Sequence, residues 1–128
     1  MLIRKNVLTN KIYTLTFKLH AMKNKVQLIG RVGQDPEVKT LEGGKKLVTV
    51  SIATNDVYYK ENGDKVEQTE WHRVTAWGKT ADIIEKYVTK GKEIGIEGKL
   101  SHRSYDDKNG EKRYITEIVA NEVLLLGK

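Results

Sequence analysis

From Lys25 onward, hydrophobic residues recur at every second position, the period of a half-buried β-strand. Val26, Leu28, Gly30 and Val32 alternate with Lys25, Gln27, Ile29 and Arg31. A break follows at Gln34-Asp35-Pro36, around the only proline, and a turn at Glu42-Gly43-Gly44-Lys45. Leu47 to Tyr59 forms the second strand, with Val48, Val50 and Ile52 facing one way and Thr49, Ser51 and Ala53 the other. Glu61-Asn62-Gly63-Asp64 then carries the Asn-Gly pair expected of a tight hairpin. The third strand, Thr69 to Trp77, follows. Between Lys79 and Lys90 the period changes to that of a helix: Ile83, Ile84, Tyr87 and Val88 form the apolar stripe, Thr80 is the expected N-cap and Gly91 the C-cap. The fourth strand resumes alternation at Ile94, Ile96, Gly98 and Leu100 and continues to Tyr105. The fifth runs from about Arg113 to Leu126, with apolar residues on both faces (Ile115, Val119 and Val123 against Ile118, Ala120 and Leu124), which predicts contact with another subunit.

Three strands, one helix and two strands is the chain order of an all-β domain, the five-stranded OB-fold Greek-key barrel with one short helix between strands 3 and 4. Other small β-barrels share parts of this order. Fold alone does not assign function.

The third strand holds both tryptophans of the chain. Strand alternation places Trp71, Arg73, Thr75 and Trp77 on one face and His72, Val74 and Ala76 on the other. The second set is compact and mostly apolar and belongs to a core. Two indoles and a guanidinium are therefore left facing outward, which suits flat partners such as unpaired nucleobases. The competing arrangement buries this strand between two layers, with both tryptophans in the core. On the fourth strand, Lys99, Ser101, Arg103 and Tyr105 share a face, and Tyr58 ends the second strand beside Lys60, so aromatic and basic residues recur together on three strands. Trp71 and Trp77 lie about 20 Å apart along an extended strand, enough to span several nucleotides.

Composition narrows the picture. The net charge of +6 (23 Lys+Arg against 17 Asp+Glu) is unevenly placed: residues 1–21 hold Arg4, Lys5, Lys11 and Lys18 and no acid, leaving 19 basic against 17 acidic residues from Met22 onward. A phosphate-binding field must therefore come from clustering on one face rather than from total charge. The chain divides into a basic N-terminal extension of uncertain order, 1–21, and one OB-fold domain, 22–128. The extension fits an upstream translated segment, a basic arm on phosphates, or a targeting peptide; Ile12, Leu15, Phe17 and Leu19 also allow a short strand. Absence of cysteine excludes disulfides, thiolate metal sites and cysteine nucleophiles. No apolar run reaches the roughly 20 residues of a membrane span.

An enzyme is disfavoured. His20, His72 and His102 are scattered, no residue set has metal-ligand spacing, and Ser51, Ser101 and Ser104 lie in no nucleophile elbow. His72 and His102 are expected on inward strand faces. No metal or cofactor is expected. A protein-interaction barrel using the same aromatic face is the other class of reading.

Asn24-Lys25-Val26, Gly33-Gln34-Asp35-Pro36-Glu37-Val38, Glu67 to Val74, Gly78-Lys79, Gly91-Lys92 and Ile96-Glu97-Gly98-Lys99-Leu100 closely resemble the bacterial-type single-stranded DNA-binding protein family, over about residues 23–126. The resemblance implies an OB-fold subunit, a homotetramer with a dimer as the alternative, that coats single-stranded DNA in replication, recombination and repair. It implies a cytoplasmic bacterial protein, or a mitochondrial one if residues 1–21 are a transit peptide. Family stacking positions fall on Tyr58, Trp71, Trp77 and Tyr105, and phosphate-contacting positions on Arg73, Lys79 and Arg103, with Lys99 beside them. The family's acidic tip, which recruits repair enzymes, has no counterpart before Lys128, so the resemblance leaves recruitment in doubt, the tip being either truncated or naturally lacking. Primosome-type accessory proteins of the same fold are the nearest alternative.

Overall fold

The computed structural model describes residues 21–127 continuously, together with 10–12, 14, 15, 18 and 19. The described positions from Asn10 to Met22 are helical, so the short strand allowed by Ile12, Leu15 and Leu19 does not form there, while Phe17 lies outside the described residues. Six strands follow: β1 (Val26–Val32), β2 (Glu37–Thr40), β3 (Lys46–Tyr59), β4 (Lys65–Trp77), β5 (Glu93–Asp106) and β6 (Lys112–Leu125), with helix α1 (Gly78–Tyr87) between β4 and β5. The strand not expected is β2, four exposed residues after the proline that pair with the start of β3. Its pattern is too short and too polar to register as a period.

The other five strands close a barrel in the order β1-β5-β6-β4-β3, and the ring is completed by Arg31↔Ala53 and Val32↔Ile52 between β1 and β3. Apart from the parallel β4–β6 pair, joined at Val74↔Ile118 and Thr75↔Val119, all pairings are antiparallel. Inward residues of every barrel strand fill the interior, among them Val48, Ile52, Val74, Ile94 and Ile118. Burying each such side chain contributes about 1.5–3 kcal/mol.

Helix α1 plugs the barrel with Ala81 and Ile84, followed by Val88 just past its end, whereas Ile83 and Tyr87 stay exposed. The expected stripe is thus rotated, because only one line of the helix surface meets the narrow barrel mouth. Thr80 is not the N-cap. The helix begins three residues earlier, with the extended Trp77 at the N-cap position and no side-chain cap, and the Thr80 hydroxyl donates to the Asn121 carbonyl at 3.2 Å. Gly91 lies beyond the helix, where its N–H donates to the Val32 carbonyl at 2.8 Å.

The two apolar faces expected of the last strand have a local cause. A register shift between Glu97/Gly98 and Glu122/Ala120 inserts Asn121 as an extra residue in β6. Alternation changes phase there, so Val123 joins Ile118 and Ala120 against the core while Leu124 turns outward. Gly98 is required at this place: a Cβ would stand 2.1 Å from the Val119 carbonyl oxygen and 2.8 Å from the Ala120 Cα.

Beyond the barrel, β3–β4 and β5–β6 continue as two projecting hairpins. Their connections, residues 60–64 and 107–111, are five residues long rather than two.

Candidate nucleic-acid interface

In an antiparallel ladder, directly opposed residues share a face. The register Ala53↔Trp71, Ser51↔Arg73, Thr49↔Thr75 and Leu47↔Trp77 therefore sets these residues on the outside, opposite Ile52, Val50 and Val48. Trp71 is 61% and Trp77 43% exposed, while Val74 and Ala76 are fully buried, so the arrangement with core tryptophans does not occur. Thr75, between Arg73 and Trp77 on the same strand face, is buried. Trp71 rests on the backbone of Gly33, where an added Cβ would come within 2.5 Å of the indole ring. The bare glycine lets one side of the ring pack against the barrel while the rest stays open. The Gly33 N–H, held to the Ser51 carbonyl at 2.9 Å, fixes that support.

On the neighbouring strands, Arg103↔Ile115, Ser101↔Glu117, Lys99↔Val119 and Tyr105↔Arg113 place Lys99, Arg103 and Tyr105 on one face of the β5–β6 ladder. Because β6 lies between β4 and β5, the strand order brings the Arg73 and Arg103 guanidiniums to a common partner, Glu117. Arg103 Nε donates to its Oε1 at 2.9 Å, and Arg73 Nε approaches Oε2 at 3.4 Å. Glu117 carried no signal in the sequence, where it is one of two acids, with Glu122, in the last strand. Lys79, in the first turn of α1, and Lys99 are exposed and form no ion pair with another described residue. Trp77 borders a shallow groove with Gly44, Lys45, Lys46 and Gly78, in which Lys46 is committed to Asp82 at 3.2 Å and Glu85 at 2.6 Å.

Tyr58 stands apart. It pairs with Val66, on the ladder face opposite Trp71, whereas Tyr59, paired with Lys65, continues the Trp71 face along the projecting hairpin and is 68% exposed. The parity is set by the unbroken β3–β4 register, which residue spacing from Tyr58 to Lys60 did not reveal.

The loop beyond Tyr105 is ordered by one carboxylate. Asp107 Oδ1 accepts the Asn109 and Glu111 N–H groups at 2.9 Å each, and Oδ2 accepts Arg113 Nε at 2.9 Å. The Arg113 guanidinium first, and then the Glu111 amide, hold this carboxyl below its ordinary 3.8. A depressed folded value means that the stabilisation is complete above 3.8 and is lost as pH falls through the lower folded value. The amide shifts of Asn109 and Glu111 should accordingly titrate together below 3.8, read by NMR; a midpoint above it would contradict the loop geometry.

His72 and His102 serve the strands, while His20 lies outside the described residues. His72 Nε2 lies 2.8 Å from the Thr54 hydroxyl, half-buried as expected. His102, also 2.8 Å from a threonine hydroxyl (Thr116), is exposed, because its inward face has already left the barrel for the projecting hairpin. Among the described residues no group of His, Asp or Glu is arranged to hold a metal, and no helix is long and apolar enough to cross a membrane.

Residues 23–126 match the Single-strand binding protein family. The chain is 48% identical over 109 residues to "Single-stranded DNA-binding protein 1" of Xylella fastidiosa, covering 84% of this chain and 80% of that protein. It is 47% identical over 105 residues to the protein of the same name in Chlorobaculum tepidum, covering 81% of this chain and 65% of that protein. Among solved structures, "Plasmodium falciparum SSB complex with ssDNA" superposes with a TM-score of 0.77 at 34% identity, covering 84% of this chain and 97% of that one. A barrel closed in this order, with outward tryptophans beside arginines and a family match across nearly all of the described domain, identifies the chain as a member of the single-strand binding protein family.

Proposed function

We propose that the chain binds single-stranded DNA without reading its sequence and protects it during replication, recombination and repair. The observation that carries this is the outer face of β4, where Trp71 and Trp77 lie open beside Arg73. Every base has a π-face, so stacking is tolerant of sequence, and cations along the groove neutralise the backbone. Trp71, Trp77, Tyr105 and Tyr58 are assigned to stacking, and Arg73, Arg103, Lys79 and Lys99 to phosphates. Register adds Tyr59 as a fifth aromatic, extending the Trp71 face toward the hairpin tip. The protein is a binding module, not an enzyme, and the bacterial relatives support its placement in the cytoplasm with the DNA.

A homotetramer, with a dimer as the alternative, is supported by the far side of the barrel. There Ile29 and Leu124 are exposed along an apolar groove over β1, β5 and β6, close to Ile83. Such a patch suits contact between copies.

Tryptophan fluorescence tests the reading. Oligo-dT should quench it, the affinity should fall as salt rises, and duplex DNA should have little effect, while oligo-U measures the sugar preference. Tyr59→Ala should weaken the oligo-dT complex at least as much as Tyr58→Ala. Failure of oligo-dT to quench at low salt would sink the proposal.

A further inference from the structure

Glu117 is the only charged side chain buried among the described residues, 7% exposed, and it lies beneath a surface assigned to a polyanion. A buried carboxylate is costly unless its lone pairs are used. Here both oxygens are, one by each arginine, and both arginines engage it through Nε, the inner edge of the guanidinium. Their side chains remain 45% and 46% exposed, and no terminal nitrogen of either is bonded to another described residue.

We propose that Glu117 is a positioning residue of the DNA site, resting on the function above. It clamps Arg73 and Arg103 by their inner edges and turns their terminal nitrogens outward as a paired fork for backbone phosphates. A planar guanidinium has donors on two edges, so one edge can be fixed while the other binds. Two free arginines would lose side-chain entropy on each binding event, whereas clamped ones are ordered beforehand.

Charge and positioning predict opposite signs, which makes the test sharp. Glu117→Gln removes a negative charge from the phosphate path. If the residue acted only through charge, oligo-dT binding would tighten and its salt dependence would steepen. The clamp predicts the reverse. Affinity should fall roughly tenfold, the scale of one charge-assisted hydrogen bond, and the slope of log K against log[salt] should become shallower by about 0.7 for each phosphate that is no longer neutralised.

Glu117→Asp keeps the charge but is one methylene too short to hold both arginines. It should also weaken binding, and it decides the matter if the glutamine variant does not fold, as monitored by thermal unfolding. Equal or tighter binding by the folded variants, with the parent protein still quenched by oligo-dT, overturns the clamp alone. A parent protein that does not bind oligo-dT overturns the function and the clamp together.

Discussion

Trp71→Ala should weaken binding to oligo-dT by about 1–3 kcal/mol, the value of one base stacked on an aromatic ring, or roughly 5- to 150-fold. The loss should be of similar size for oligo-dA and oligo-dC. Trp71 sits at the centre of the outer face, with Ala53 opposite it, Arg73 two residues on and Gly33 beneath its ring. Its removal takes away stacking area without opening the core, because the indole is 61% exposed and the adjacent inward residue is the separately anchored His72. Thermal stability should therefore change little while affinity falls. Titrations of the three homopolymers with the variant, read by anisotropy of a labelled oligonucleotide, measure this. A loss confined to one homopolymer would mean that bases are read by their edges, against the stacking mechanism.

Gly98→Ala should destabilise the fold by about 3 kcal/mol, the upper end of what overpacking usually costs. The added methyl meets backbone on the facing strand, the Val119 carbonyl oxygen and the Ala120 Cα, rather than the tip of a flexible side chain. To make room, β5 and β6 must separate where Asn121 is inserted and where the phase of β6 is reset. Urea unfolding should show a lower midpoint. Trp71 and its Gly33 support lie on other strands, so oligo-dT should still quench the folded fraction, whereas Lys99, next to Gly98, and Glu117, two residues before Val119, shift with β5 and β6 and should lower the affinity as well. An unchanged midpoint would mean that the bulge accepts a side chain.

The two predictions divide between what the sequence displays and what it conceals. Alternation alone was enough to turn Trp71, Arg73 and Trp77 outward, because β4 is paired without interruption and Val74 and Ala76 mark its inner side unambiguously. The same rule succeeded for Lys99, Arg103 and Tyr105. It failed on β6, where one inserted residue converts a one-sided strand into the semblance of a two-sided one. Continued along β3 from Ser51 and Ala53, it gives Tyr59 and not Tyr58 the face of Trp71 provided the strand runs unbroken to its end, and the pairings Tyr58↔Val66 and Tyr59↔Lys65 show that it does. The helix stripe was rotated for a similar reason, since Ile83 and Ile84 are neighbours in composition but only one points into the barrel.

Local physics therefore determined the five barrel strands, the helix between the third and fourth of them, and the outward aromatic strand, all of which follow from periodicity and from the chemistry of near neighbours. The tertiary structure alone decided the barrel closure, the bulge at Gly98 and the meeting of Arg73 with Arg103 on Glu117. Those depend on β6 entering between β4 and β5, which joins residues 44 and 14 positions apart in a way that no short-range pattern encodes.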